Sequence, residues 1–299
     1  MSVAKALALV VLLLLSSRQA EAQVSRGVVK KGLCVDSKVL GKQVRYSIYL
    51  PFDYETSTQS YPIVYLLHGG GGNDVQWIES GEADLTADKA IANRLIPPVI
   101  LVMPDAGFTR YINSYDNAVR YEDFFFKEFI PSIEATYRVN AQKRFRAVGG
   151  LSMGGYGALI YALRHPEMFA ACVALSAALY TDEMTLEMSQ SEWDRSRTVA
   201  FGKELKGQSR ITNHYKAYDP FRIVSSGDPE KLRTVNFYLD CGDDDFRNDG
   251  NAAFHILLRR MKIPHEYRVR DGDHTWIYWR SGLSEGLKFF GDGFRSAGS

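Results

Sequence analysis

The chain has 299 residues and nearly balanced charge, with 36 Lys and Arg against 35 Asp and Glu, for a formal net charge of +1. This balance gives no electrostatic reason to expect nucleic acid or an anionic membrane as a partner. The length fits one large α/β domain or two small ones. Three cysteines (Cys34, Cys172 and Cys241) exclude a disulfide scaffold, but either one disulfide or three free thiols fits this number.

The first 22 residues have the pattern of a cleavable secretion signal. Lys5 precedes an apolar run over residues 6–15 that is too short to span a bilayer, and Ala20-Glu21-Ala22 is an A-x-A cleavage pattern. We expect export, with a mature chain that starts near Gln23; an uncleaved N-terminal anchor is the alternative. No later apolar stretch in the sequence is long enough to cross a membrane, so we expect no membrane span in the mature chain.

Strand and helix patterns alternate along the rest of the chain. Residues 28–49 indicate an antiparallel hairpin, because apolar and polar side chains alternate near its end. Apolar runs are typical of parallel strands buried on both faces, and they occur at 62–67, 99–103 and 169–176; residues 145–148 and 235–240 also have strand patterns. Helical patterns lie near 84–95, 121–137, 153–163 and 250–262, followed by a strand at 266–269 and a helix at 284–290. We predict an α/β fold: a mostly parallel central sheet with helices on both faces and an antiparallel N-terminal hairpin.

No repeat or linker interrupts the sequence, so we predict a single domain over residues 23–299. Residues 177–232 lose the regular periodicity and are too long for a plain connection. We predict that this lid segment, as we call residues 177–232, is an insertion over the functional site.

The pattern Gly150-x-Ser152-x-Gly154 lies between a short strand and a helix of small residues. This context predicts a nucleophile elbow, a strained turn that presents the serine hydroxyl at the carboxyl end of the strand. Glycines permit the turn and the close packing of the helix. The alternative is a glycine-rich turn without chemistry.

A nucleophilic serine needs a base, and the base needs an acid that orients it. In this fold they follow in the order serine, acid, histidine. Of the six histidines, His274 lies just beyond the last predicted strand, where a base belongs. The acid comes from the run Asp243-Asp244-Asp245, in which we favour Asp245, with Asp244 as runner-up. At least one of these aspartates must be a turn or cap residue.

An oxyanion hole needs two backbone N–H groups. We assign them to Met153, directly after the serine, and to Gly70 in the loop His68-Gly69-Gly70-Gly71. The loop lacks both the P-loop ending and the dinucleotide-binding register. No metal-ligand spacing occurs either, so we expect neither cofactor nor metal. Trp276 and Trp279, beside Tyr278, are candidates for an aromatic substrate wall, with core packing as the alternative.

Five segments together resemble the esterase family of α/β-hydrolases that includes S-formylglutathione hydrolase, tributyrin-type esterases, feruloyl and acetyl-xylan esterases and the mycolyltransferases. They are Leu67-His68-Gly69-Gly70, Met103-Pro104-Asp105, Gly150-Leu151-Ser152-Met153-Gly154-Gly155, Cys241-Gly242-x-x-Asp245-Phe246 and Gly272-x-His274-x-Trp276. The resemblance covers about Tyr46 to Phe290. It implies the α/β-hydrolase fold, a triad of Ser152, Asp245 and His274, and an oxyanion hole of Gly70 and Met153.

The resemblance implies a secreted serine carboxylesterase acting on short-chain acyl, acetyl or feruloyl esters, either small molecules or linked to polysaccharide. The thioesterase branch of the family usually has Leu-Thr-Cys after the first glycine of the loop. Here the loop is all glycine, which favours the secreted carboxylesterase branch. The alternatives are an acyltransferase to a sugar hydroxyl, a thioesterase similar to S-formylglutathione hydrolase, and an exported binding protein without turnover. The sequence does not indicate an oligomeric state.

Overall fold

The computed structural model describes residues 25–296, through which one eight-stranded sheet runs in the order β1-β2-β4-β3-β5-β6-β7-β8. The strands are β1 (Val28–Ser37), β2 (Lys42–Leu50), β3 (Ile63–Leu67), β4 (Ile100–Pro104), β5 (Arg146–Leu151), β6 (Ala171–Leu175), β7 (Asn236–Gly242) and β8 (His265–Arg270). β1, β2 and β4 pair antiparallel, and all other neighbours pair parallel. The predicted α/β fold with its N-terminal hairpin is confirmed. The predicted secretion signal lies outside the described residues.

Helices cover both faces of the sheet. The α-helices are α1 (Gln76–Glu79), α2 (Ala83–Ala92), α3 (Tyr121–Phe124), α4 (Ile130–Thr136), α5 (Met153–Arg164), α6 (Asp182–Glu187), α7 (Gln190–Ser196), α8 (Thr198–Phe201), α9 (Asn213–Ala217), α10 (Pro220–Ser226), α11 (Pro229–Leu232), α12 (Asn248–Arg260) and α13 (Trp276–Ser296). A π-helical turn (Phe125–Phe129) joins α3 to α4, and 3-10 turns lie at Lys143–Phe145 and Gly207–Arg210. On one face α2 and α13 cover the sheet, and α5 packs on the other. β3, β4, β5 and β6 are buried along their whole length, and the apolar runs of β3, β4 and β6 predict this.

Helix α13 is much longer than the sequence indicates. The predicted helix spans 284–290, whereas the structure begins it at Trp276, two residues after His274. Several glycines weaken the helical signal here. Two of them lie against β6. A Cβ at Gly286 would come within 2.9 Å of Val173 Cγ1, and one at Gly282 within 3.3 Å of Leu175 Cδ2. Close packing on β6 therefore stabilises a helix that local propensity does not favour.

The lid segment is helical rather than irregular. It contains six short helices, α6 to α11, of four to seven residues each. All of these helices except α8 begin at a side-chain cap, as where Thr181 accepts a hydrogen bond from the Met184 amide. Helices of one or two turns are too short to show a helical period. Trp193 and Phe201 anchor this segment in the same core cluster as α5.

The three cysteines are free thiols in the structure. Cys172 and Cys241 are buried and Cys34 is exposed, so of the two readings the sequence leaves open, the structure has three separate thiols. Separately, no helix within residues 25–296 combines the length and apolar character needed to cross a bilayer.

Candidate active site

Ser152 lies in the sharp turn between β5 and α5. Its backbone has φ 52° and ψ −114°, a left-handed conformation that a serine rarely adopts. A Cβ at Gly154 would lie 2.1 Å from the Leu67 carbonyl oxygen, and one at Gly150 would lie 2.5 Å from the Gly154 backbone. Only glycine fits at these two positions, so the spacing of the motif follows from packing at the turn.

Three predicted residues meet at the carboxyl edge of the sheet. Ser152 Oγ is 3.0 Å from His274 Nε2, and His274 Nδ1 is 2.8 Å from Asp245 Oδ2. The Asp245 side chain is fully buried. Asp244 is exposed, and Asp243 accepts hydrogen bonds from the Asp244 amide and from the Gly272 amide in the loop after β8. Of the candidate acids, the structure brings Asp245 to the histidine.

The buried Asp245 carboxylate is held ionised by its neighbours. Burial alone would raise its pKa, but hydrogen bonds from His274, from the Ser176 hydroxyl and from the Arg247 amide outweigh burial and lower the pKa below its usual value. Because the ionised carboxylate only accepts hydrogen bonds, His274 carries its proton on Nδ1. Nε2 is then free to accept the Ser152 proton.

Ser176 was missed by sequence reasoning. It directly follows β6, has φ 46° and is fully buried, and its Oγ accepts a hydrogen bond from Trp279 Nε1 at 3.0 Å. The signal that points to it is a polar residue at the carboxyl end of a buried strand, next to the elbow strand. The chain of hydrogen bonds thus runs from Trp279 through Ser176 to Asp245.

The two tryptophans predicted as a substrate wall pack against each other at 5.2 Å. Trp279 is 6% exposed, and its ring meets the edge of His274 at 4.8 Å, so it has almost no open face for a substrate. Tyr278 is also buried. Trp276 is half-buried against Trp77. Core packing, the alternative reading, describes Trp279 better.

Two other aromatic rings are exposed beside the site. Phe246 is 67% exposed with its ring 4.6 Å from that of His274, and Phe108 is 55% exposed beside Gly71. A cavity of about 350 Å³ is lined by Phe108 together with Arg45, Asp105 and Val199. Phe246 ends the segment Cys241-Gly242-x-x-Asp245-Phe246, but the sequence assigned neither ring a role.

The glycine loop is held by His68, which is buried. His68 Nδ1 donates to the Gly69 carbonyl at 2.7 Å, and Nε2 accepts from the Ala106 amide at 2.9 Å. The Gly69 carbonyl also accepts from the Gly72 amide at 3.1 Å. In a trans peptide the N–H points opposite to the preceding C=O, so these bonds fix the direction of the Gly70 amide.

Met153 is the first residue of α5, so its amide has no acceptor within the helix.

Among residues 25–296, one group of three side chains has carboxylates close enough to share a metal ion: the exposed Asp243, Asp244 and Asp271. Asp243 already accepts hydrogen bonds from two backbone amides there, so its position is explained by its role in holding the local backbone.

Comparison with known proteins points to one family. A family model described as "Putative esterase" matches residues 37–290. An esterase of Mycobacterium tuberculosis is 30% identical over 259 residues, covering 80% of this chain and 54% of the relative, so the chain spans about half the length of that relative. An acetyl esterase of Caldicellulosiruptor saccharolyticus is 24% identical, covering 85% of this chain and 94% of the relative.

A solved ferulic acid esterase superposes with a TM-score of 0.77 at 33% identity, covering 90% of this chain and 100% of its own. The fold, the matched span and these relatives agree with one another. The chain belongs to the esterase family of α/β-hydrolases.

Proposed function

We propose that the protein is a serine carboxylesterase that works through an acyl-enzyme. The observation that carries this proposal is the unbroken hydrogen-bond chain from Ser152 through His274 to the buried Asp245. Serine is a weak nucleophile at neutral pH, and this chain supplies the base and its orienting acid. The esterase relatives support the same reaction class.

In the first half-reaction the Ser152 oxygen attacks the ester carbonyl carbon while His274 Nε2 takes the hydroxyl proton. Asp245 stabilises the imidazolium that forms. The negative charge on the carbonyl oxygen is met by the amides of Gly70 and Met153. The tetrahedral species collapses when Nε2 returns the proton to the leaving alcohol, which leaves Ser152 acylated. Water then attacks, and the same proton transfers release the acid.

The substrate class is a carboxylic ester with a short acyl, acetyl or feruloyl group. Acetyl and ferulic acid esterases among the relatives support this range. The exposed rings of Phe246 and Phe108 offer faces for an aromatic acyl group or for a sugar. We infer that the lid segment covers the bound substrate, because its residues Val199 and Ala178 lie near the cavity and the elbow.

Labelling with a fluorophosphonate probe tests the nucleophile. Wild type should be labelled with one equivalent, and Ser152→Ala should lose labelling together with about 10⁴-fold or more of its turnover of 4-nitrophenyl acetate. Ser284→Ala removes an exposed serine on α13 and is the matched control. Full ester turnover by Ser152→Ala would refute the proposal.

Export is a separate inference that rests on the pattern of residues 1–22. N-terminal sequencing of enzyme recovered outside the cytoplasm of expressing cells should read from near Gln23. Enzyme that stays in the cytoplasm with residues 1–22 attached would contradict it.

A further inference from the structure

The cavity of about 350 Å³ described above opens at the carboxyl edge of the sheet, on the side of Ser152 away from His274. Its walls come from the loop after β4, from the lid residue Val199 and from the start of β2, which lies at this edge because β2 runs antiparallel to β4. Ser152 follows β5, and β3 separates β5 from β4. The β2–β4 cavity, as we call it, therefore lies about two strand spacings, or about 10 Å, from the nucleophile.

An open strip of backbone joins the β2–β4 cavity to the nucleophile. A Cβ on Gly69 would lie 3.7 Å from Ser152 Cβ, and one on Gly71 would lie 3.9 Å from Cζ of Phe108, which lines the cavity. Gly70 and Gly71 are exposed, and a Cβ on Gly70 would meet nothing within 4 Å. The glycine loop thus forms a floor without side chains, along which a substrate can extend from the reacting carbonyl into the cavity.

Three charged side chains line the cavity and keep donors or acceptors open. The buried Asp74 fixes Arg45, whose Nε and Nη2 lie 3.1 and 2.6 Å from Oδ1, and Arg45 Nη1 has no acceptor among residues 25–296. Asp105 Oδ1 accepts from the Gly107 amide at 3.0 Å, whereas Oδ2 receives no hydrogen bond from the part of the chain that the structure describes. Lys42 is exposed and forms no ion pair within those residues.

These groups select the class of occupant. The charges of Lys42 and Arg45 are balanced by those of Asp74 and Asp105, so the cavity offers no net attraction to an ion. An apolar chain would bury the open donors and acceptors without partners, at a cost in free energy. Each hydroxyl of a sugar both donates and accepts, so a neutral sugar satisfies both kinds of group.

Phe108 provides an apolar contact for the ring of a sugar. It is 55% exposed, and its ring meets no other aromatic ring or guanidinium group of residues 25–296. Phe246, the other exposed ring beside the site, lies 4.6 Å from the His274 ring, and the Cζ of Arg247 is 4.5 Å from its centre. The open aromatic face therefore lies on the cavity side of Ser152, where a sugar ring can stack on it.

The distance from Ser152 assigns the occupant to a part of the substrate beyond the reacting group. His274 Nε2 lies 3.0 Å from Ser152 Oγ, so it fixes the leaving oxygen near both atoms but not the path of the alcohol beyond that oxygen. An acetyl group ends one bond from the reacting carbonyl carbon and cannot cross two strands. A glycan whose first sugar carries the ester can cross them, and its next sugar then reaches Phe108.

We propose that the β2–β4 cavity binds a neutral sugar unit of a glycan chain whose ester reacts at Ser152, so that the enzyme prefers esters of oligosaccharides to esters of single sugars. This proposal rests on the esterase function proposed above and assigns the alcohol part of its substrate. The competing occupant is an aromatic acyl group, which is also long enough to reach the cavity, and the experiment separates the two.

The chain-length arm compares esters that share an acetyl group. Monoacetylated xylose is compared with xylotriose, and monoacetylated glucose with cellotriose, with the acetyl group placed on either terminal sugar of each trisaccharide. In one pair, wild type should favour the trisaccharide by about tenfold or more in kcat/KM. Phe108→Ala and Lys42→Ala should each lower this ratio by about threefold or more.

Two matched controls should keep the wild-type ratio. Phe52→Ala removes a ring that is 50% exposed but follows the other end of β2, and Lys288→Ala removes an exposed lysine of α13. Thermal unfolding and fluorophosphonate labelling count the folded enzyme in every variant. A trisaccharide preference that survives both Phe108→Ala and Lys42→Ala would place the sugar elsewhere and overturn the assignment of the cavity.

The acyl arm compares methyl ferulate with methyl acetate, which share the leaving alcohol. With a glycan in the cavity, Phe108→Ala should keep the ratio of kcat/KM between these two esters within about twofold of wild type. A loss of about tenfold that is selective for methyl ferulate, without a trisaccharide preference in wild type, would identify an aromatic acyl group. A ratio near one in both sugar pairs overturns the glycan proposal whatever the acyl arm shows.

Failure of the proposed esterase function has a different signature, because then no sugar ester and no methyl ester is hydrolysed. Calorimetric titration of xylohexaose and cellohexaose, neither of which carries an ester, then decides whether the cavity binds sugar. Saturable binding to wild type that Phe108→Ala weakens by about threefold or more would keep the sugar site. Absence of binding of both would overturn it.

Discussion

Trp279 donates a hydrogen bond from its indole Nε1 to Ser176 Oγ at 3.0 Å, and the Ser176 hydroxyl in turn donates to the Asp245 carboxylate. The same indole ring meets the edge of the His274 ring at 4.8 Å. One buried side chain thus touches the proposed base directly and its orienting acid through a serine. Ser176 and Trp279 are positioning residues, since neither contacts Ser152 Oγ.

Ser176→Ala should lower kcat by about 3- to 30-fold with little change in KM, because it removes a hydrogen bond to a charged group that orients the base. Loss of this donor lets the pKa of Asp245 rise, so the acid limb of the kcat/KM profile should move to higher pH. Trp279→Phe keeps an aromatic ring near His274 but removes the N–H and leaves a small cavity, so thermal unfolding is measured beside kcat and a kcat effect of the same sign is expected. An unchanged pH profile in Ser176→Ala would contradict the positioning role.

Asp245→Asn should lower kcat/KM by about 10³- to 10⁴-fold, because an amide stabilises the wrong tautomer of His274 and no longer stabilises the imidazolium. Asp244→Asn changes the adjacent, exposed carboxylate and should leave turnover within about twofold of wild type. Steady-state hydrolysis of 4-nitrophenyl acetate measures both variants. A large loss in Asp244→Asn with turnover kept in Asp245→Asn would return the choice of acid to Asp244.

Gly154→Ala should lower the free energy of unfolding by roughly 3 kcal/mol or more, because its methyl group would lie 2.1 Å from the Leu67 carbonyl oxygen. Gly293→Ala is the control: a Cβ there meets nothing within 4 Å, and in helix α13 alanine should stabilise by about 0.5–1 kcal/mol. Urea unfolding of both variants measures the difference. Wild-type stability in Gly154→Ala would show that the turn relaxes easily.

Glu122 anchors the lid segment to the helices below it. It accepts hydrogen bonds from Arg164 Nε at 2.8 Å and Tyr218 Oη at 2.6 Å, and lies 3.0 Å from His165 Nε2. Burial alone would raise the pKa of Glu122, but these three partners lower it to about 2. A depressed folded-state pKa stabilises the fold above the unfolded value of 4.5, and this contribution is lost as the pH falls towards 2.

Glu122→Gln should therefore lose roughly 3 kcal/mol of unfolding free energy at neutral pH, and the gap to wild type should close between about pH 4.5 and pH 2. Chemical unfolding at a series of pH values measures it. The exposed Glu167 near His165 provides a control, since Glu167→Gln should follow the wild-type curve. A gap that stays constant down to pH 2 would mean that Glu122 does not act through its charge.

Much of the fold could be read from local patterns. The parallel strands are apolar on both faces because helices cover both faces. An apolar run such as Ile63–Leu67 therefore indicates a buried strand even when its neighbours in the sheet are unknown. The elbow motif is also visible locally, although the need for glycine at 154 comes from the Leu67 carbonyl on the neighbouring strand β3. The full length of helix α13 and the short lid helices could not be predicted in this way. Packing on β6 stabilises the first and side-chain caps stabilise most of the others, and neither produces a helical repeat of apolar residues in the sequence.

The order of serine, acid and histidine along the chain follows from the order of the strands that carry them, so Ser152, His274 and the aspartate run at 243–245 could be proposed as a triad from the sequence. The choice of Asp245 over Asp244 and the contacts of Ser176 and Trp279 depend on which side chains are excluded from water together. Such burial joins residues more than sixty positions apart, through packing between elements that no local pattern encodes. The candidate nucleophile and base can therefore be proposed from the sequence, whereas the side chains that position them are brought together only when the elements pack.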